Sequence, residues 1–223
     1  MLPLQKPQQS QLGKYMMTFY FHKLRTTFNP GALFILLCLG LLLSSCENNE
    51  EHWATKNISG LMPQLKFNMT ESNRDKLVQG DDYRGDIVLL YFGYTHCPDV
   101  CPLTLGRIKS ALAHLGTGAK AIRVLFVSVD PARDTKTVLK SYTQYFGPQF
   151  LGLYASQPEL RELTKRYRVT YGYDKPDKEG NYNVSHSSAI YAFDRKGEAR
   201  LLIRPTDKVS AITKDLKRLL KHS

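Results

Sequence analysis

Cys97 and Cys101 are the side chains best able to do chemistry in this 223-residue chain, which has four cysteines in all. They stand in the run Tyr91-Phe92-Gly93-Tyr94-Thr95-His96-Cys97-Pro98-Asp99-Val100-Cys101-Pro102. A spacing of four puts both sulfurs on one side of a helical turn. From there they can share a soft metal or close a disulfide after modest rearrangement. The remaining cysteines, Cys38 and Cys46, fall in and just after an N-terminal leader, so the folded part has only this pair. One short loop makes no structural disulfide framework, and closing it restricts little of the unfolded chain. Reactivity is the better reason for the pair.

Two thiolates select Cu(I), zinc or an iron–sulfur cluster. Structural zinc and clusters usually take four protein ligands, and two thiols fall short of that. Cu(I) needs only one further donor, such as a histidine. The candidates are His52, His96, His114, His186 and His222. His52 lies in a polar stretch, His222 at the tail and His114 on a predicted helix. The side chain of His96 should diverge from the adjoining Cys97. His186 stands in Val184-Ser185-His186-Ser187-Ser188, just ahead of a predicted strand. The residues alone leave the third ligand open. Asp99 reads as a first-turn acid that complements a helix dipole, or as a carboxylate that tunes the pair. Asp130, Arg133 and Asp134 read as turn and cap residues, and Tyr91, Phe92 and Tyr94 as core. Met62 and Met69 form no methionine-rich copper motif.

The elements that position the pair follow from hydrophobic patterning. Ile87 to Gly93 is a continuous apolar run, the mark of a strand buried on both faces. Leu105, Ile108, Leu112 and Leu115 then recur at helical spacing, and Gly116 ends that helix. The cysteines thus sit where a buried strand hands over to a helix. That is where open α/β sheets bind ligands, and free helix N–H groups there favour a thiolate. Ile122 to Val129 is a second buried strand. Asp134 or Thr135 caps a helix with Val138, Tyr142 and Tyr145 on its inner face. Phe150 to Tyr154 is a strand, and Pro158 opens a helix whose stripe is Leu160, Leu163 and Tyr167. Asp174 to Asn183 is a loop or loose hairpin. Ser188 to Asp194 and Ala199 to Ile203 are strands joined by Arg195-Lys196-Gly197-Glu198, and Val209, Ile212, Leu216 and Leu219 mark a closing helix. A further strand is expected near Lys66. The expected class is α/β, a thioredoxin-like fold with a central mixed sheet flanked by helices on both faces.

Residues 31–45 are uncharged and rich in leucine, too short to span a membrane but right for the apolar part of a secretory signal after His22, Lys23 and Arg25. Leu43-Ser44-Ser45-Cys46 resembles a lipobox, which makes Cys46 the lipidation site. The expected organisation is a signal peptide over 1–45 (with Met16 or Met17 as an alternative start), a lipidated N-terminus and linker over 46–61, and one domain over 62–223. The net charge is +11, and loss of Lys6, Lys14, Lys23 and Arg25 with the leader leaves +7. The basic residues are scattered with no basic-aromatic patch, so nucleic acid is not an expected partner.

Three blocks together resemble the Sco (SenC) family of thioredoxin-like copper proteins that serve cytochrome c oxidase assembly. They are Tyr91 to Pro102 with its CPxxCP core, Val127-Ser128-Val129-Asp130-Pro131-Ala132-Arg133-Asp134-Thr135, and His186-Ser187-Ser188-Ala189-Ile190-Tyr191-Ala192-Phe193-Asp194. The resemblance covers roughly residues 60–221. It implies that Cys97, Cys101 and His186 ligate copper, as Cu(I) or Cu(II). It also makes sense of His186 standing where ordinary thioredoxins place a cis-proline. It further implies a metallochaperone of the cell envelope, lipid-anchored with its domain in the periplasm and the inner membrane favoured. The implied partners are the copper-bearing oxidase subunit and an envelope thiol reductant. Two alternatives remain open: a thiol–disulfide oxidoreductase in which Cys97 and Cys101 are the catalytic redox pair, and a copper-linked redox sensor.

Overall fold

The computed structural model describes Gly31 and residues 52–222; the leader, with Cys38 and the expected lipidation site Cys46, lies outside the described residues. Among residues 52–222, ten strands and four α-helices follow in chain order. The first three strands are β1 (Lys56–Asn57), β2 (Asn68–Glu71) and β3 (Lys76–Gln79). Then come β4 (Ile87–Gly93), α1 (Val100–Leu115), β5 (Ile122–Ser128) and α2 (Lys136–Phe146). The chain continues with β6 (Phe150–Tyr154), α3 (Gln157–Arg166), β7 (Tyr171–Tyr173) and β8 (Val184–His186). It closes with β9 (Ile190–Phe193), β10 (Ala199–Ile203) and α4 (Val209–His222). Eight strands form one mixed sheet in the order β1-β10-β9-β4-β5-β6-β2-β3, and β7 and β8 form a separate antiparallel pair.

β4 and β5 are the centre of the sheet, paired in parallel along their whole length from Ile87↔Ile122 to Gly93↔Ser128. Every residue of β4 is buried, as its unbroken apolar run requires. Its side chains alternate between two cores. Ile87, Leu89 and Tyr91 pack with Leu105 and Ile108 of α1, Leu139 and Phe146 of α2, and Leu216 of α4. Val88, Leu90 and Phe92 pack on the other face with Leu160, Leu163 and Tyr167 of α3 and with Leu65, Phe67 and Met69. This is the expected α/β architecture, a mixed sheet covered by helices on both faces. Among the described residues no helix is long and apolar enough to cross a membrane.

Two expectations need correction. The inner face of α2 does not include Val138 and Tyr145, which are 39% and 77% exposed; Tyr142 packs against the core as expected, beside the buried Leu139, Thr143 and Phe146. Thr143 tolerates burial because its hydroxyl donates back to the Leu139 carbonyl. Tyr145 instead lies under the Lys109 ammonium, 5.3 Å away, on the surface. The expected linker is also partly domain. Trp53, Thr55 and Ile58 are buried, and β1 pairs with β10. Asp215 of α4 accepts hydrogen bonds from the backbone of Ala54 and Thr55 and from the Thr55 hydroxyl. The compact unit therefore starts at His52, not Met62.

Candidate metal and thiol centre

The cysteines lie beyond the carboxyl end of β4, in the turn that leads into α1. Cys97 precedes the helix, and Cys101 sits in its first turn. Asp99 takes the N-cap position but its side chain makes no capping bond. The Cys97 sulfur does that work instead, accepting the backbone N–H of Cys101 at 3.4 Å. An orphan helix N–H thus points at the Cys97 sulfur.

Cys101 has the opposite environment. It is fully buried, and burial pushes its thiol from the usual 9.0 up to about 12, although the Tyr91 hydroxyl and the Tyr94 backbone act to lower it. Its sulfur lies so close to β4 that a Cβ on Gly93 would stand 2.9 Å from it and 2.7 Å from the Phe126 ring. Only glycine fits there. Tyr91, two residues earlier on the same face of the strand, donates its hydroxyl to the Cys101 sulfur at 3.5 Å. Tyr142 of α2 packs its ring on Phe126 at 5.3 Å between centroids, and its buried hydroxyl has no hydrogen-bond partner among the described residues. Burial first, and then the charges of Cys101 and Cys97, raise the pKa of that phenol. Tyr91, expected to be core, is core and also a sulfur contact.

His186, the last residue of β8, brings its Nε2 to 3.3 Å from the Cys101 sulfur. Its Nδ1 lies 3.0 Å from the Val184 carbonyl oxygen. A carbonyl only accepts, so Nδ1 carries a proton, and Nε2 is the ring nitrogen that faces the sulfur. This is how a ligating histidine is usually oriented by its other ring nitrogen. The imidazole is held in place by Tyr94, whose ring meets it edge-on at 5.6 Å. Two soft sulfurs and one neutral imidazole suit copper. Cys97, Cys101 and His186 do not form a closed group with all ligand atoms within 4.8 Å; among the described residues only His96, Asp130 and Asp134 do so. A shared ion therefore requires these three side chains to draw closer together.

The His96 group braces the site. Asp134, buried, accepts from the Thr95 hydroxyl at 2.6 Å, from the Thr95 N–H and from the Ser128 hydroxyl at 2.6 Å. Burial raises its pKa, against those bonds. Asp130 accepts from Arg133 and Tyr182. Asp134 is thus committed to the loop that carries Cys97, and Asp130 to its own connection and Tyr182; Thr135, not Asp134, caps α2. His96 is exposed and turned toward Asp134, away from the thiols. The other histidines serve elsewhere: His114 bonds the Ser110 carbonyl within α1, and the His52 carbonyl accepts from Arg218.

Comparison with known proteins agrees with this geometry. The SCO1/SenC family model matches residues 62–221. The cattle protein "Protein SCO2 homolog, mitochondrial" is 41% identical over 118 residues, which span 52% of this chain and 44% of that protein. A SCO2-like protein of Rickettsia prowazekii is 34% identical over 169 residues, 75% of this chain and 80% of its own length. The solved structure of Bradyrhizobium japonicum ScoI with copper bound superposes with a TM-score of 0.64 at 35% identity, covering 70% of this chain and 98% of that one. The chain belongs to the SCO1/SenC family.

Proposed function

We infer that this protein binds copper through Cys97, Cys101 and His186 and delivers it to the binuclear copper site of cytochrome c oxidase. The observation that carries the reading is the placement of His186, with Nε2 3.3 Å from the buried Cys101 sulfur and Nδ1 held at the Val184 carbonyl. A soft metal held by two thiolates takes such a nitrogen as its third ligand. The two thiols supply charge and softness, and the imidazole completes a neutral third corner. Binding displaces the Cys101 proton and needs both sulfurs as thiols, so copper loading is coupled to pH and to the redox state of the pair. Signal cleavage at Cys46 and its lipidation would place the domain in the periplasm, with the inner membrane favoured because the oxidase is there.

Copper transfer tests this directly. The reduced, copper-loaded domain is mixed with a soluble oxidase fragment that carries an empty binuclear site, and copper is counted on each protein after separation. Copper on the acceptor in the wild type, and little with His186→Ala, is the expected result. Equal transfer by both proteins refutes it.

A second reading rests on the contrast between the thiols. Cys97 is partly exposed with a helix amide on its sulfur, and Cys101 is buried. That is the arrangement of an attacking and a resolving thiol. Cys97 would attack a target disulfide and Cys101 would displace the reduced target. The pair would lose two electrons and two protons, and an envelope thiol reductant would restore them. This activity should survive His186→Ala.

A further inference from the structure

His186 does not belong to the main sheet. It ends β8, which pairs only with β7 in the register Tyr171↔His186 and Tyr173↔Val184. Two strands of three residues, joined by the exposed connection 174–183, cannot hold a side chain in place unaided. Gln157 of α3 bonds Tyr171 and Tyr173, and Val184 is buried in the core; the remaining contacts of this hairpin meet the connection between β5 and α2. The Tyr182 hydroxyl donates to Asp130 at 2.8 Å, and Arg133 donates its Nε to the other oxygen of the same carboxylate at 2.5 Å. The Arg133 guanidinium lies 3.6 Å from the centre of the Tyr182 ring and 5.7 Å from that of Tyr94. Tyr94 in turn holds the His186 ring edge-on. Tyr173 adds a bond from its hydroxyl to the Val129 carbonyl at 2.7 Å.

We propose that Asp130, Arg133 and Tyr182 form a latch that docks the β7–β8 hairpin and so sets where His186 stands relative to Cys101. Arg133 and Tyr182 are positioning residues: neither reaches the sulfurs, and both act through Tyr94 and the hairpin. The planar guanidinium is required, because it must stack on Tyr182 while its edge bonds Asp130; an ammonium does only the second. With the latch closed the imidazole is held at the site. With it open the thiols keep their places on β4 and α1 while the third donor is lost. The copper part of this inference rests on the metal-binding reading above, and the positional part does not.

Two variants of the whole domain test it from opposite sides. Tyr182→Ala removes both the stack and the hydroxyl from an otherwise exposed loop. Arg133→Lys keeps the ion pair with Asp130, and hence the fold, but loses the stack. In the metal-free, reduced protein, nitrogen-edited NMR should show the His186 ring and the amides of 171–187 shifted or broadened in both variants, with those of 87–93 unchanged. With Cu(II) added, the nitrogen coupling in the electron paramagnetic spectrum should weaken in both, and affinity should fall by about tenfold or more, the scale of a lost orienting contact. Tyr182→Phe, which keeps the stack, should lie between them and the wild type. Wild-type His186 signals and full nitrogen coupling in both Tyr182→Ala and Arg133→Lys would overturn the latch. A wild type that shows no nitrogen coupling would instead sink the metal-binding reading, and the metal-free spectra would still decide the latch.

Discussion

The proton on Cys101 gives the site a pH dependence that an ordinary thiol would not have. Copper binds the thiolate, so loading must expel that proton. Burial holds this thiol up to about 12, where an unperturbed one would ionise near 9.0. Below its pKa, each step of one pH unit upward makes the proton easier to remove and raises apparent Cu(I) affinity about tenfold on account of Cys101. For an unperturbed thiol that gain stops near pH 9; here it should continue to at least pH 10. At neutral pH the elevated thiol costs about a thousandfold in affinity, or about 4 kcal/mol, relative to an unburied one. The sign for the fold is the reverse. A thiol whose pKa is raised in the folded state stabilises that state below pH 9, and the benefit is lost as pH rises from about 9 to about 12. The assay is competition for Cu(I) against a chelator whose affinity is constant from pH 7 to 10. A curve that flattens near pH 9 would show that Cys101 is not held protonated by burial and would refute the argument.

Gly93→Ala should drive a methyl into the Cys101 sulfur and the Phe126 ring. We expect a loss of about 1–3 kcal/mol in urea unfolding together with weakened copper binding. Asp134→Ala strands three donors from Thr95 and Ser128. It should cost about 1–3 kcal/mol by the same assay and broaden NMR signals of 94–97 selectively. A fragment that begins at Met62 loses the buried Trp53 and Ile58. It should be less stable than one beginning at His52 by about 3–5 kcal/mol, and equal denaturant midpoints would contradict the revised boundary.

The strands β4, β6 and β10 were legible because their burial is written in local pattern: an unbroken apolar run, or a short one between turn residues. The face of α2 was not. Its aromatic residues occupy two adjoining stripes, and the buried one is completed by Thr143, whose hydroxyl is satisfied inside the helix. The segment from His52 to Leu61 reads as linker because it is polar. Its burial depends on Asp215, about 160 residues away, which no local pattern reveals. At the site, the cysteine pair and its strand-to-helix junction were readable from spacing, but His186 was one of five candidates until its block was matched to the family. Tyr91 could have been found: strand alternation puts it on the same face as Gly93, against which Cys101 packs. The bracing by Asp134 and the latch at Arg133 are contacts between separate loops, and only the fold brings them together.

In the proposed function Cys97, Cys101 and His186 act as one copper site. X-ray absorption of the reduced domain loaded with Cu(I) tests that most directly, with the wild type measured beside His186→Ala. One copper per chain held by two sulfurs and one nitrogen is expected, with loss of the nitrogen alone in the variant. A wild-type site with sulfur ligands only, or a nitrogen that survives His186→Ala, would contradict it.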